Sequence, residues 1–89
     1  MSYKLLLRKK VLKFIEKRNP KEKQNIDLKL KSLKNNPFPN NLELDIKKLI
    51  STDFYRLRIN NYRFIYEIID DELVILVLDG NNREIYTKT

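Results

Sequence analysis

The segment 53–69, DFYRLRINNYRFIYEII, constrains the fold most, because it indicates two β-strands joined by a tight turn. Both flanks are rich in Tyr, Phe, Ile and Leu and contain no Gly or Pro, which is typical of strands. Asn tolerates positive φ, so Asn60-Asn61 can form a two-residue hairpin turn that fixes the register. Side chains alternate between the two faces of a strand. One face is therefore predicted to be apolar and to carry Tyr55, Leu57, Ile59, Tyr62, Phe64 and Tyr66.

The other face of this hairpin is predicted to be cationic, with Arg58 opposite Arg63 and Arg56 opposite Ile65. Like charges directly opposite each other destabilise a strand pair, which suggests that an anion is expected between them. The alternative is that both arginines extend into solvent. Residues 51–89 hold four Arg and one Lys, whereas residues 1–50 hold twelve Lys and two Arg. Because the Arg fork suits bidentate phosphate recognition, this distribution favours an anion-binding site.

The net charge of +7 on 89 residues favours an anionic partner, either nucleic acid or an acidic protein. The lysines of residues 1–50 are equally consistent with a polyanion-binding surface and with a solvated one. The chain has no Cys and no His, so it lacks thiolate ligands and the commonest general base. We therefore expect no metal and no cofactor. The length predicts a single domain over residues 1–89, and the absence of a long apolar run or a signal-peptide pattern predicts a cytoplasmic protein without a membrane partner.

The rest of the chain supplies a strand, two helices and a further strand. Residues 3–7 form a short strand pattern, and helical spacing begins after Arg8. Asn19 and Pro20 are typical N-cap and first-turn residues, so a second helix should run from Pro20 to about residue 34 and form an antiparallel hairpin with the first. Residues 42–50 suit either an edge strand or a helical turn. Lys47 and Lys48 follow in this segment and can reach the cationic face of the hairpin.

After the hairpin, Asp70-Asp71 is a second candidate for a two-residue turn, and Gly80 is expected to break the strand that follows. With that turn, Leu73, Ile75 and Val77 would join the core face. Their neighbours Val74, Leu76 and Leu78 would lie on the arginine face. An apolar patch beside a cationic one is typical of a protein interface.

These elements predict an α+β fold: an N-terminal strand, an antiparallel two-helix hairpin packed on one face of a mostly antiparallel sheet, and a three-strand C-terminal meander. The order of elements, with the motifs YRLR, YRFIY and REIY, resembles the RelE/ParE toxin superfamily over nearly the whole chain. The resemblance is closer to the RelE branch than to the gyrase-poisoning ParE branch. It implies a metal-independent endoribonuclease that depends on the ribosome, cleaves messenger RNA and inhibits translation, and that is held inactive by an antitoxin protein.

The resemblance also implies roles for individual residues. Arg56 and Arg58 match basic positions that line the RNA path, and Arg63 matches an arginine that contacts the scissile phosphate. Tyr86 matches a late tyrosine that stacks on a base or helps to activate the ribose 2′-OH. Arg83 falls near a basic loop residue of the family. Together these five residues form the predicted catalytic set.

The chain departs from its relatives at Asn81-Asn82, where they often carry His-Arg. No obvious proton acceptor remains, since Arg is always protonated. Tyr86 is the first choice and Lys47 and Lys48, also predicted to bind RNA, are the next. Val74, Leu76 and Leu78 are the predicted antitoxin interface.

Two other functions remain open from the sequence. The chain could be a ParE-like or decayed toxin that binds an antitoxin or another target without cleaving RNA. It could also be a non-catalytic RNA-binding module, although the Gly-rich RNP pattern of one such fold is missing, since Gly80 is the only glycine.

Overall fold

The computed structural model describes residues 2–82. Two helices and five strands follow one another in the order β1 (Lys4–Leu7), α1 (Lys9–Glu16), α2 (Pro20–Asn35), β2 (Asp45–Lys48), β3 (Phe54–Ile59), β4 (Tyr62–Ile69) and β5 (Val74–Asn82), with a 3₁₀ turn (Asp70–Glu72) before β5. The strands form one sheet in the order β1-β5-β4-β3-β2. Only the β1–β5 pair is parallel among these described strands. The predicted α+β architecture is confirmed.

The register of the β3–β4 hairpin agrees with the prediction at every pair from Phe54–Glu67 to Ile59–Tyr62. Asn60 has a φ of 53°, a value in the left-handed region that Asn tolerates better than most residues. The two-residue turn therefore sets which side chains face the helices. Leu57, Phe64 and Tyr66 are all buried on that face.

The helices cover this apolar face of the sheet. In α2 the first turn is capped by Asn19, whose Oδ1 accepts a 2.8 Å hydrogen bond from the backbone N–H of Glu22. The buried stripe of α2 consists of Ile26, Leu30 and Leu33, as predicted, and α1 adds Val11 and Ile15. These side chains form one core with the sheet. Neither helix in residues 2–82 has the length and hydrophobicity that crossing a bilayer requires.

Tyr66 ties the middle of the sheet to the loop that follows α2. Its ring is fully buried, and its hydroxyl donates a 2.7 Å hydrogen bond to the carbonyl oxygen of Pro37. Burial raises the pKa of Tyr66, because the phenolate form would lose its hydration. The buried hydroxyl is thereby satisfied, as a buried polar group must be.

Residues 42–50 contain an edge strand, so the strand interpretation is confirmed over Asp45–Lys48. Ile46 lies opposite Leu57 and is buried. The preceding turn is held by Asn41, a buried polar residue. Its Nδ2 donates to the carbonyl oxygens of Asn36 (2.8 Å) and Ser32 (3.3 Å), and its Oδ1 accepts from the backbone N–H of Glu43 (3.0 Å).

A turn forms at Asp70-Asp71, as predicted, but it is longer than the two-residue turn considered. A 3₁₀ turn spans Asp70–Glu72, and Leu73 follows it with a φ of 54°, so β5 begins only at Val74. Leu73 is therefore a turn residue and not a core-facing strand residue. Ile75 and Val77 are fully buried on the core face, as predicted.

Gly80 does not break β5, contrary to the prediction, because the strand continues to Asn82. Gly80 lies opposite Phe64. A Cβ atom at this position would lie 3.0 Å from Cε1 of Phe64 and 3.3 Å from Cδ2 of Phe14. The glycine thus allows two aromatic rings to pack against the strand backbone.

Candidate nucleic-acid interface

Three arginines lie on the sheet face that points away from the helices. We call Arg56, Arg58 and Arg63 the arginine cluster. Arg58 is directly opposite Arg63 across β3 and β4, as predicted, and Arg56 is opposite Ile65. Two like charges in opposed positions repel each other, so this pair is held by the fold at an electrostatic cost.

Asp45 supplies a counter-charge to two arginines of the cluster. It lies opposite Arg58 in the β2–β3 register, and its Oδ1 accepts a 2.9 Å hydrogen bond from Nη2 of Arg56. The other oxygen, Oδ2, is 3.6 Å from Nη1 of Arg58. One carboxylate on the edge strand thus contacts two guanidinium groups. Asp45 was not predicted from the sequence, where its one signal is its position two residues before Lys47 in an alternating segment.

Burial separates the roles that the arginines can have. The side chain of Arg56 is 10% exposed and that of Arg58 is 31% exposed. Arg56 is therefore less open to solvent than a predicted RNA-lining residue would be, and its guanidinium contacts Asp45. The Nε atom of Arg58 is buried and has no hydrogen-bond partner within residues 2–82. A buried donor without a partner costs about 1–3 kcal/mol, and an anion bound to Arg58 could offset part of that cost.

Lys47 and Lys48 do not share a face. Lys47 lies opposite Arg56 and is exposed on the face of the arginine cluster. Lys48 lies opposite Tyr55, on the other face, because successive residues of a strand alternate. The prediction that both lysines reach the arginine face is therefore wrong for Lys48.

An apolar patch borders the arginine cluster on the same face. Val74 and Leu76 lie opposite Ile69 and Glu67 on β4, as expected for residues that share the arginine face. Strand β1 adds Leu6, which is opposite Leu76 and 41% exposed. We call Leu6, Phe54, Ile65, Ile69, Val74 and Leu76 the apolar patch. The cluster and the patch meet where Ile65 lies opposite Arg56.

Leu78 differs from the other two predicted interface residues. It is the extra residue of a β-bulge, between the Tyr66–Val77 and Ile65–Asp79 pairs. A bulge locally reorients the side chains of its strand, so the simple alternation that predicted a place for Leu78 ends there.

A cleft of about 390 Å³ lies at the edge of the sheet beside Arg58. Asp45 and Asn60 line it together with Lys29 and Leu42. Leu42 is 94% exposed at its rim. Arg58 therefore lies beside a space with polar, cationic and apolar walls.

Two predicted catalytic residues, Arg83 and Tyr86, lie outside the described residues 2–82. The geometry above therefore concerns Arg56, Arg58 and Arg63 alone among the five.

The chain is similar in sequence and structure to known toxins. A family model, the ParE toxin of the type II toxin–antitoxin system parDE, matches residues 8–84. A putative toxin RelE1 of Methanocaldococcus jannaschii is 31% identical over 85 residues, which cover 94% of this chain and 93% of that protein.

Two solved structures extend the similarity to the fold. The archaeal RelE–RelB complex of Pyrococcus horikoshii has a TM-score of 0.82 at 27% identity, covering 93% of this chain and 97% of that chain. The RelB–RelE antitoxin–toxin complex of Methanococcus jannaschii has a TM-score of 0.73 at 26% identity, covering 93% and 95%. The chain therefore belongs to the RelE/ParE superfamily of toxins from type II toxin–antitoxin systems.

Proposed function

We propose that this toxin is an endoribonuclease that cleaves messenger RNA on the ribosome and thereby inhibits translation. The observation that carries the proposal is the opposition of Arg58 and Arg63 on the sheet face away from the helices, with Asp45 beside Arg58. Family membership and the similarity to RelE structures support it.

The reaction that suits this site is in-line attack of a ribose 2′-OH on the adjacent phosphorus. The 2′-oxygen bonds to phosphorus, the bond to the 5′-oxygen breaks, and the products are a 2′,3′-cyclic phosphate and a 5′-OH. Negative charge develops on the phosphoryl oxygens in the transition state. Arg58 and Arg63 can stabilise that charge as fixed cations, without a metal ion.

The proton of the 2′-OH needs an acceptor, and no arginine can serve because guanidinium stays protonated. We assign this role to Asp45, since its carboxylate contacts the cluster through Arg56 and Arg58. Arg56 then acts as a positioning residue that holds Oδ1. The proton passes to the carboxylate, and the departing 5′-oxygen takes a proton from water.

Lys47 extends the cationic surface beyond the cluster. It is exposed on the same face, opposite Arg56, and can contact an RNA phosphate next to the reacting one. The cleft beside Arg58 gives room for a neighbouring nucleotide. We assign the placement of the RNA to the ribosome, and the site itself supplies charge and the proton acceptor. This role requires a cytoplasmic protein.

We further propose that a cognate antitoxin covers the apolar patch and the arginine cluster together. Solved structures of similar toxins contain the antitoxin RelB. An apolar surface rimmed by cations suits an amphipathic segment with acidic side chains.

Induction of the chain in growing cells tests the proposed function. Growth arrest with new 5′ ends inside messenger RNA that is being translated, both suppressed by co-expression of the neighbouring reading frame, is the expected result. Arrest without new RNA ends would favour a toxin that acts on another target. An absence of both effects would favour a decayed toxin or a plain RNA-binding module.

A further inference from the structure

A second cationic surface lies on the helix side of the sheet, between α1 and the end of β5. It is a cleft of about 490 Å³. Its basic walls are Lys10, Lys13, Lys17 and Arg18, and its β5 wall consists of Asp79, Gly80 and Asn81. None of these residues takes part in the site described above.

The guanidinium of Arg18 is fixed in this cleft by two aromatic rings. It stacks 4.5 Å from the centroid of Phe14 and 5.1 Å from that of Tyr62. Its Nε donates to the carbonyl oxygen of Phe14 (3.2 Å), and its Nη1 donates to the hydroxyl of Tyr62 (3.4 Å). The Tyr62 hydroxyl in turn donates to Glu22 (2.7 Å). A guanidinium that is already ordered loses little further entropy when it binds an anion.

The lysines of α1 add positive charge along one side of the helix. Lys13 and Lys17 are exposed, and their i, i+4 spacing places them side by side on the helix. Lys10 forms an ion pair with Asp79 at 3.4 Å, whereas neither Lys13 nor Lys17 forms one with any residue from 2 to 82. Two ammonium groups without an ion pair in the described part of the chain thus line the cleft together with one fixed guanidinium.

The chemistry of the cleft favours nucleic acid over protein. Protein interfaces have an apolar centre and are depleted in Lys, whereas nucleic-acid interfaces are polar and strongly cationic. Phe14 is the one apolar side chain among the described lining residues, and Arg18 covers its ring. The apolar patch on the opposite face, in contrast, consists of apolar side chains, as a protein interface does.

One residue pair connects the cleft with the arginine cluster. Asn81 lines the cleft and lies opposite Arg63 at the end of β4 and β5. We infer that the cleft between α1 and β5 binds the phosphate backbone of RNA, with Lys13 and Lys17 as contacts and Arg18 as a fixed anchor, so that the RNA footprint extends around the end of the sheet. This inference rests on the proposed function for its ligand class.

Equilibrium binding of a short, labelled 2′-O-methyl RNA tests the inference, because that RNA cannot be cleaved and the result does not depend on activity. Anisotropy over a salt series compares the parent with the Lys13→Gln/Lys17→Gln double variant. The matched control is Lys21→Gln/Lys31→Gln, which removes the same charge from exposed positions on α2. Two lost phosphate contacts should reduce the slope of log K against log salt by about 1.4 in the cleft variant and leave the control at the parent value.

Equal slopes and affinities for the two double variants would overturn the inference. Binding of a labelled peptide of Asp and Glu to the same proteins is measured as a second test. If the cleft substitutions weaken binding of the peptide and leave RNA binding unchanged, the surface binds protein and the inference is wrong. If the protein binds RNA through the cleft but cleaves no RNA, the proposed function is refuted and the inference about the cleft stands.

Discussion

The carboxylate of Asp45 accepts a 2.9 Å hydrogen bond from Nη2 of Arg56 across the β2–β3 pair, while Arg56 is almost fully buried. The edge strand thereby joins an acid to a cluster of cations. An isolated cluster could bind phosphate, but it could not remove a proton. Asp45 places a carboxylate, a group that can accept a proton, in contact with this cluster.

We predict that Arg63→Ala strongly lowers the rate of messenger RNA cleavage and leaves the fold intact. Removal of one group that stabilises the developing charge typically lowers the rate by about 10²–10³-fold. Single-turnover cleavage on ribosomes measures the loss, and thermal unfolding checks the fold. Arg8→Ala, which removes an exposed arginine outside the cluster, is the matched control and should cleave normally. Growth arrest by Arg63→Ala at parental expression would rule out this role.

We predict that Asp45→Asn lowers cleavage by about 10²–10⁴-fold, the range of general acid–base catalysis. The amide keeps the shape of the side chain and an oxygen that can accept from Arg56, but it cannot take up the proton. Binding of uncleavable RNA should persist. Asp53→Asn is the control, since Asp53 is exposed and carries the same charge. Equal cleavage by Asp45→Asn and the parent would show that the acceptor is another group.

The parts of the site that the sequence predicted are those fixed by local rules. The pairing of Arg58 with Arg63 followed from a two-residue turn, which leaves one register for the whole hairpin. The start of α2 followed from Asn19 and Pro20, since a helix cap is made within one turn of chain.

The features that could not be predicted from the sequence depend on contacts between distant segments. Asp45 meets the cluster through the β2–β3 pairing, and residues 49–53 connect these two strands. Ser51 in this connection has a φ of 62°. No short-range sequence pattern fixes the register across such a loop. Gly80 stays in its strand because Phe14 and Phe64 pack against it. Leu73 adopts a left-handed φ of 54° that its residue type does not suggest.

We predict that Asn41→Ala destabilises the fold by about 1–3 kcal/mol, the cost of leaving buried polar groups without partners. The substitution removes the donor to Asn36 and Ser32 and the acceptor for Glu43. The midpoint of chemical denaturation measures the effect. Asn35→Ala, at the exposed end of α2, should change it much less. A stability equal to that of the parent would mean that the turn before β2 holds without this side chain.

We predict that Leu6→Glu weakens antitoxin binding by about thirtyfold, equivalent to roughly 2 kcal/mol, the lower bound of an interface hot spot. Leu6 extends the apolar patch opposite Leu76, and a carboxylate there would be desolvated by the antitoxin. Leu28→Glu is the matched control, because Leu28 is 59% exposed on α2. Titration calorimetry with the purified antitoxin measures both. A loss in the control and none in Leu6→Glu would place the antitoxin on the helices.

The last prediction separates Tyr86 from Asp45 as proton acceptor. If Asp45 takes the proton and Tyr86 stacks on a base, Tyr86→Phe should cleave at nearly the parental rate, because it keeps the ring and removes only the hydroxyl. Tyr86→Ala should then be slow, since stacking of one base on an aromatic ring contributes about 1–3 kcal/mol. Single-turnover cleavage on ribosomes compares the two, with ribosome binding measured as a control. A fall of about 10²–10⁴-fold in Tyr86→Phe would instead assign the proton to the tyrosine hydroxyl and leave Asp45 as a residue that only positions Arg56 and Arg58.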